Sequence, residues 1–175
     1  MKTSISIKKM VIAAMFAALT CVATMVISIP IPATNGYINI GDCIVLLSGW
    51  LLGGVYGTAA AAIGSMFADL FLSYTAYAPG TLVIKGLMAL VAFVVFKALS
   101  GKIPAFAARL LSAVCAEAVM VGGYFLYEST ILGYGLGAVP SIFSNMIQAA
   151  GGIVISVVVM ELIKNNKYIV KLQNA

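Results

Sequence analysis

The chain has no histidine and a single tryptophan. Without His it lacks the commonest metal ligand and the side chain that most often acts as a general base near neutral pH. Charge is also scarce: ten Lys+Arg and five Asp+Glu serve 175 residues, of which 63% are hydrophobic. A soluble domain carries far more charge, and apolar stretches this long belong in a membrane. Cys21, Cys43 and Cys115 are three in number, widely spaced, and lie in or beside apolar runs. That set argues against a disulfide framework and against a metal site. There is no P-loop, no Gly-x-Ser-x-Gly, no His-containing metal motif and no dinucleotide fingerprint. No metal, cofactor or enzymatic activity is expected, and any ATP-driven step must be powered by another subunit.

The charges that are present are informatively placed. The net charge of +5 is not arranged as a nucleic-acid surface. Lys2, Lys8 and Lys9 precede the first apolar run, Lys97, Lys102 and Arg109 lie mid-chain, and Lys164, Lys167 and Lys171 follow the last run. This is the bias of cytoplasmic loops. Six membrane segments are expected in a single domain spanning residues 1–175: roughly Ile7–Ile29, Ile40–Leu52, Val55–Ser73, Thr81–Leu99, Ala105–Tyr127 and Pro140–Ile163. The first is ended by Pro30 and Pro32. It is too long for a signal-peptide core and is expected to be retained. The second is too short to cross a hydrocarbon core of about 30 Å unaided. It must be re-entrant, extended by its flanks, or buried among other helices. Six crossings put both termini in the cytoplasm. The outside then receives the loops at residues 30–42, 73–80 and 128–139.

Lys85 stands alone inside Thr81-Leu-Val-Ile-Lys-Gly-Leu-Met-Ala-Leu. An ammonium at membrane depth costs about 2.5–3.5 kcal/mol on insertion scales and is normally paired, hydrated or functional. Asp69 and Glu117 interrupt two other apolar runs, and either is an expected partner for Lys85. Glu117, Met120, Tyr124 and Glu128 share one helical face, as do Asn145, Gln148 and Gly152, and Ser65 with Asp69. Converging, these faces offer one cation, several carboxylates, two amides and tyrosine rings, a set suited to a small polar aromatic ligand. Tyr37, Tyr74, Tyr77, Tyr124, Tyr127 and Tyr134 fall near the outer end. Trp50, Tyr56 and Tyr168 are the inner candidates for an aromatic belt. Asp42 is expected to N-cap the second helix. Ala13 with Ala17, and Ala14 with Ala18, have the small-x-x-x-small spacing that lets helices approach closely, either within the bundle or against a partner.

These features, with the runs Thr34-Asn-Gly-Tyr-Ile-Asn-Ile-Gly-Asp42, Leu52-Gly-Gly-Val-Tyr-Gly57, Ile63-Gly-Ser-Met-Phe-Ala-Asp69, Tyr77-Ala-Pro-Gly-Thr81, Ile84-Lys-Gly86 and Asn145-Met-Ile-Gln148, resemble the substrate-binding S components of energy-coupling factor (ECF) vitamin transporters. The resemblance is to the riboflavin-type group, which includes proteins for pyridoxine-like vitamers and hydroxymethylpyrimidine. It covers almost the whole chain and is strongest from Ile31 to Ala89. It implies an all-α integral membrane bundle in a prokaryotic plasma membrane, in contact with lipid. It also implies capture of a vitamin from outside and delivery through an ECF module of one transmembrane coupling subunit and two ATPases. The expected substrate-binding residues are Lys85, Glu117, Asn145, Gln148, Tyr37, Asn39, Tyr77, Tyr124 and Asp69. The expected docking face is Ala13, Ala14, Ala17 and Ala18. A one-ring pyridoxine- or pyrimidine-like ligand is favoured over riboflavin. The competing readings are a stand-alone ion-coupled transporter, with Asp69, Glu117 and Lys85 as the relay, and a purely structural membrane protein.

Overall fold

The computed structural model describes residues 7–31 and 35–173, apart from the side chains of residues 171 and 173. Lys2, Pro32, Thr34, the Lys171 side chain and both chain ends lie outside the described residues. The described chain forms seven α-helices: α1 Ile7–Val26, α2 Gly41–Leu52, α3 Gly54–Phe71, α4 Ala78–Leu99, α5 Ala105–Leu126, α6 Val139–Ile163 and α7 Lys167–Gln173. Between α1 and α2 lie two short strands, β1 Ser28–Ile31 and β2 Gly36–Asn39.

Four helical stretches are long and apolar enough to cross a membrane: Ile7–Val26, Ala78–Leu99, Ala105–Ile131 and Gly135–Ile163. Six crossings are expected from the sequence. The second segment falls short by length, since twelve residues of helix reach only about 18 Å. Its place in the bundle resolves the three options left open. Val45, Leu46 and Ser48 are fully buried, and Leu47, Trp50 and Leu51 nearly so. A helix apolar on all sides belongs in a core, and α2 packs against α1, α3, α4 and α6 at once. The third segment, α3, carries Gly57, Thr58, Gly64, Ser65 and Asp69 along eighteen residues, which dilutes its apolar character.

The chain between the first two segments is a hairpin, not an irregular loop. Its strands pair antiparallel, with Ser28 opposite Asn39 and Pro30 opposite Tyr37. Pro30 donates no hydrogen bond, and a two-stranded ribbon consists of edges, where proline is tolerated. At this end α5 runs on into a π-helical turn, Tyr127–Ile131, and a 3₁₀ turn, Gly135–Ala138, leads into α6. At the opposite, basic end, Arg109 is buried rather than free in a loop, and pairs with Glu161 at 2.9 Å. Trp50 is also buried and donates to Ser112 Oγ at 2.9 Å, so it is a core residue and not part of a belt. The short helix α7, which the polar tail sequence did not announce, packs back against α2.

Helices α1 and α3 lie so close that a Cβ on Gly64 would sit 2.3 Å from the carbonyl oxygen of Ala17. Backbone cannot yield as a flexible side chain would. Gly64→Ala is therefore expected to cost about 1–3 kcal/mol, read as a lowered thermal midpoint in detergent. An unchanged midpoint would mean that α1 and α3 part without penalty.

Candidate substrate-binding site

The hairpin, the C-terminal end of α3, the N-terminal half of α4 and the facing sides of α5 and α6 enclose a small cavity. Tyr37, Asn39, Asp69, Tyr77, Lys85, Tyr124, Asn145 and Gln148 all line it, so eight of the nine residues singled out in the sequence stand around one space. Thr24, Ile31, Gly36, Ser65, Thr81 and Glu128 complete the lining. The cavity measures about 20 Å3, room for about one water molecule. In this conformation the side chains themselves fill the space that a ligand would take.

The floor is an ion pair. Lys85 Nζ pairs with Asp42 Oδ1, both groups being almost completely buried. This corrects two expectations. Asp42 is not an N-cap: the cap position is Ile40, which makes no side-chain capping bond, and Asp42 lies in the first turn of α2 facing inward. Lys85 is paired neither with Glu117 nor with Asp69. A carboxylate at the head of an apolar run looks the same in sequence whether it caps its own helix or reaches a neighbouring one, and here α4 supplies the buried ammonium that decides. Gln148 completes the floor. Its Nε2 donates to Asp42 Oδ2 at 2.6 Å, and its Oε1 accepts the backbone N–H of Asn39 at 2.7 Å. One amide on α6 thus ties the hairpin to the ion pair, while Asn39 Oδ1 accepts the N–H of Gly41 as α2 begins.

Glu117 lies outside the cavity lining, beneath this floor. It is 2% exposed and neither of its carboxylate oxygens has a hydrogen-bond partner. A Cβ on Gly152 would meet Glu117 Oε1 at 2.6 Å and Asp42 Cβ at 3.0 Å, so α6 needs a glycine where it passes these two carboxylates.

The walls are tyrosines. The rings of Tyr37 and Tyr74 lie 4.5 Å apart, and Tyr77 contacts Tyr74, Tyr124 and Tyr127 at 6.4–6.5 Å. Lys85 Nζ lies 5.4 Å from the centroid of the Tyr124 ring, whose hydroxyl meets Thr81 Oγ1 at 2.9 Å. Tyr37 donates to Asp69 Oδ1 at 2.5 Å. Burial and the adjacent Asp69 carboxylate push the Tyr37 phenol above its ordinary range, so it remains a donor. Glu128, which shares a helical face with Glu117 and Tyr124 in the sequence, lines the cavity from the π-helical turn at the end of α5. Its Oε1 accepts from Tyr77 at 3.1 Å and its Oε2 from Ser141. Insertions of this kind recur at functional sites and leave no reliable mark in sequence.

The four alanines divide. Ala13 is buried and Ala17 half-buried against α3, whereas Ala14 and Ala18 are exposed. All four border an apolar groove of about 730 Å3 along α1 and α3, with Ile63, Phe67 and Phe71 on its far side.

A tyrosine-walled cavity over a buried ion pair, set among apolar helices of membrane length, defines a membrane protein with a polar site inside its bundle. The sequence profile of the family described as "ECF-type riboflavin transporter, S component" matches residues 4–165, and the chain belongs to that family, one of transporter components and not of enzymes. A protein of Pyrococcus woesei described as "Uncharacterized protein in gap 3'region" is 37% identical over 134 residues, covering 77% of this chain and 86% of that protein. A solved structure described as "Structure and mechanism of the S component of a bacterial ECF transporter" superposes with a TM-score of 0.64 over 94% of this chain and 98% of that one, at 20% identity. At that identity the likeness shows the fold.

Proposed function

We propose that this chain is the substrate-binding subunit of an ECF-type importer and captures a B vitamin or vitamin precursor built on a single ring. A pyridoxine-like or hydroxymethylpyrimidine ligand is favoured over riboflavin. The observation that carries the reading is the cavity itself: aromatic walls to stack a ring, and Lys85, Asn145 and Gln148 to read its polar edge. A one-ring ligand displaces fewer of the filling side chains than a three-ring flavin. The hairpin end faces outside and the basic end the cytoplasm of a prokaryotic cell, in keeping with the distribution of Lys and Arg. The groove bordered by Ala14 and Ala18 receives the coupling subunit, which two ATPases drive.

The test is the thermal stability of the purified chain in detergent against a panel of B vitamins and precursors. A ligand at 100 times its Kd adds about 2.7 kcal/mol to the folded state. A selective shift with one compound names the cargo; no shift in folded, ligand-free protein overturns the reading. Asn145→Ala should weaken binding of that compound by about tenfold, or 1.4 kcal/mol, with little change in the stability of the empty protein. Normal binding by this variant would remove Asn145 from the site.

One observation favours the second reading, an ion-coupled transporter that works alone. Glu117 is an unpartnered buried carboxyl within a bundle of apolar helices, the usual setting of a proton relay. Uptake into vesicles by this chain alone, abolished by collapsing the proton gradient, would establish it.

A further inference from the structure

Four of the five acidic residues, Asp42, Asp69, Glu117 and Glu128, are buried around or directly beneath the cavity. Among the described residues, the only basic one in its lining is Lys85, and Asp42 already holds that ammonium. Glu128 is occupied by Tyr77 and Ser141. Asp69 differs. Its Oδ1 accepts from Tyr37, but its Oδ2 is buried and has no hydrogen-bond partner. One helical turn earlier on α3, Ser65 Oγ is also buried and without a partner. Both residues are 2% exposed and both line the cavity. Thr81 also comes within hydrogen-bonding reach of the Asp69 carboxyl, and its hydroxyl meets that of Tyr124, so Asp69 Oδ2 and Ser65 Oγ are the unpartnered atoms of this corner.

A buried acceptor left unsatisfied is costly, and a carboxylate is costlier still. A ligand that brings N–H donors relieves that cost at the moment it binds. The best match to a carboxylate is a planar pair of N–H groups carrying positive charge, because such hydrogen bonds are charge-assisted and paired. Building on the binding-subunit reading, we propose that the Asp69–Ser65 corner is a nitrogen-recognition subsite. Its ligand is an amidine-like heterocycle, of which an aminopyrimidine is the smallest vitamin-related example. The ring lies against Tyr37 and Tyr124, its nitrogen edge donates to Asp69 Oδ2, and Ser65 Oγ accepts from or donates to the same edge. The ring nitrogen beside the amino group can take a proton and then gives the carboxylate two N–H donors, whereas a flavin's imide edge sets carbonyl oxygens on both sides of its single N–H.

The purified chain in detergent is titrated calorimetrically with three probes: 4-amino-5-hydroxymethyl-2-methylpyrimidine, pyridoxine and riboflavin. The aminopyrimidine should bind tighter than riboflavin by about tenfold or more. Asp69→Asn should weaken the aminopyrimidine by about tenfold. Should that variant not fold, Ser65→Ala carries the test, because its hydroxyl has no partner to lose. It should leave the melting temperature of the empty protein unchanged or raised while weakening the aminopyrimidine by about threefold. Riboflavin or pyridoxine binding at least as tightly as the aminopyrimidine, with Ser65→Ala indifferent, overturns the nitrogen subsite and leaves the binding subunit standing. Failure of every vitamin and precursor to bind overturns the binding subunit, and the subsite with it.

Discussion

Replacing Lys85 with Met is expected to lower the unfolding free energy by about 3–5 kcal/mol, the cost of stranding a buried charge by removing its partner. Asp42 is fully buried. After the substitution its carboxylate retains the Gln148 amide but no cation, with Glu117 close beneath. The double replacement Lys85→Met with Asp42→Leu should recover most of the loss, because an apolar pair of similar volume needs no compensation for desolvation. Reversible unfolding in mixed micelles measures both. A single variant as stable as the parent would mean that the pair contributes nothing to holding α2 and α4 together. A double variant as unstable as the single one would place the cost in packing rather than charge.

Gln148→Leu is the second large effect. The side chain bridges the hairpin backbone at Asn39 and the carboxylate of Asp42. Leucine keeps the bulk and removes both bonds, one of them to a charged group, for an expected loss of about 1.5–3 kcal/mol. Amide exchange at Asn39 should quicken more than exchange within α2, since the hairpin loses its tie to α6. Gln148→Glu should be worse than Gln148→Leu, because it sets a second carboxylate against Asp42 Oδ2. If glutamate is tolerated better than leucine, repulsion by Asp42 Oδ2 does not govern this position and the bridge to Asn39 is the bond that matters.

Much of the site was legible because an ionisable or amide side chain inside an apolar run has few reasons to be there. Lys85, Asp69, Asn145 and Gln148 all met that test, and helical periodicity put Asn145 on one face with Gln148 and Asp69 on one face with Ser65. Asp42 failed it by position, since the head of a helix is where an unremarkable aspartate also sits. Glu128 shares the helical face of Tyr124, but at the outer end of α5 nothing in its sequence neighbourhood marked it as part of the lining. The hairpin was hidden by Pro30, which reads as the end of a helix and is equally at home in a two-stranded ribbon. Four of the six expected crossings are helices of spanning length and apolarity; α2 is as apolar as a membrane helix, and only the surrounding helices show that its apolar surface meets protein. The alanine spacing on α1 announced close approach but not its direction: Ala17 meets α3, while Ala14 and Ala18 face the groove.

The size of the cavity has a kinetic corollary. A space with room for about one water cannot admit a ring until the hairpin and its tyrosines move aside. Encounter and capture are then separate events, and the association rate should fall well below the diffusion limit, levelling off as ligand concentration rises. The same closure slows escape, so tight binding would be expressed as long residence instead of fast arrival. On the binding-subunit reading, long residence gives slower machinery time to act on the bound molecule.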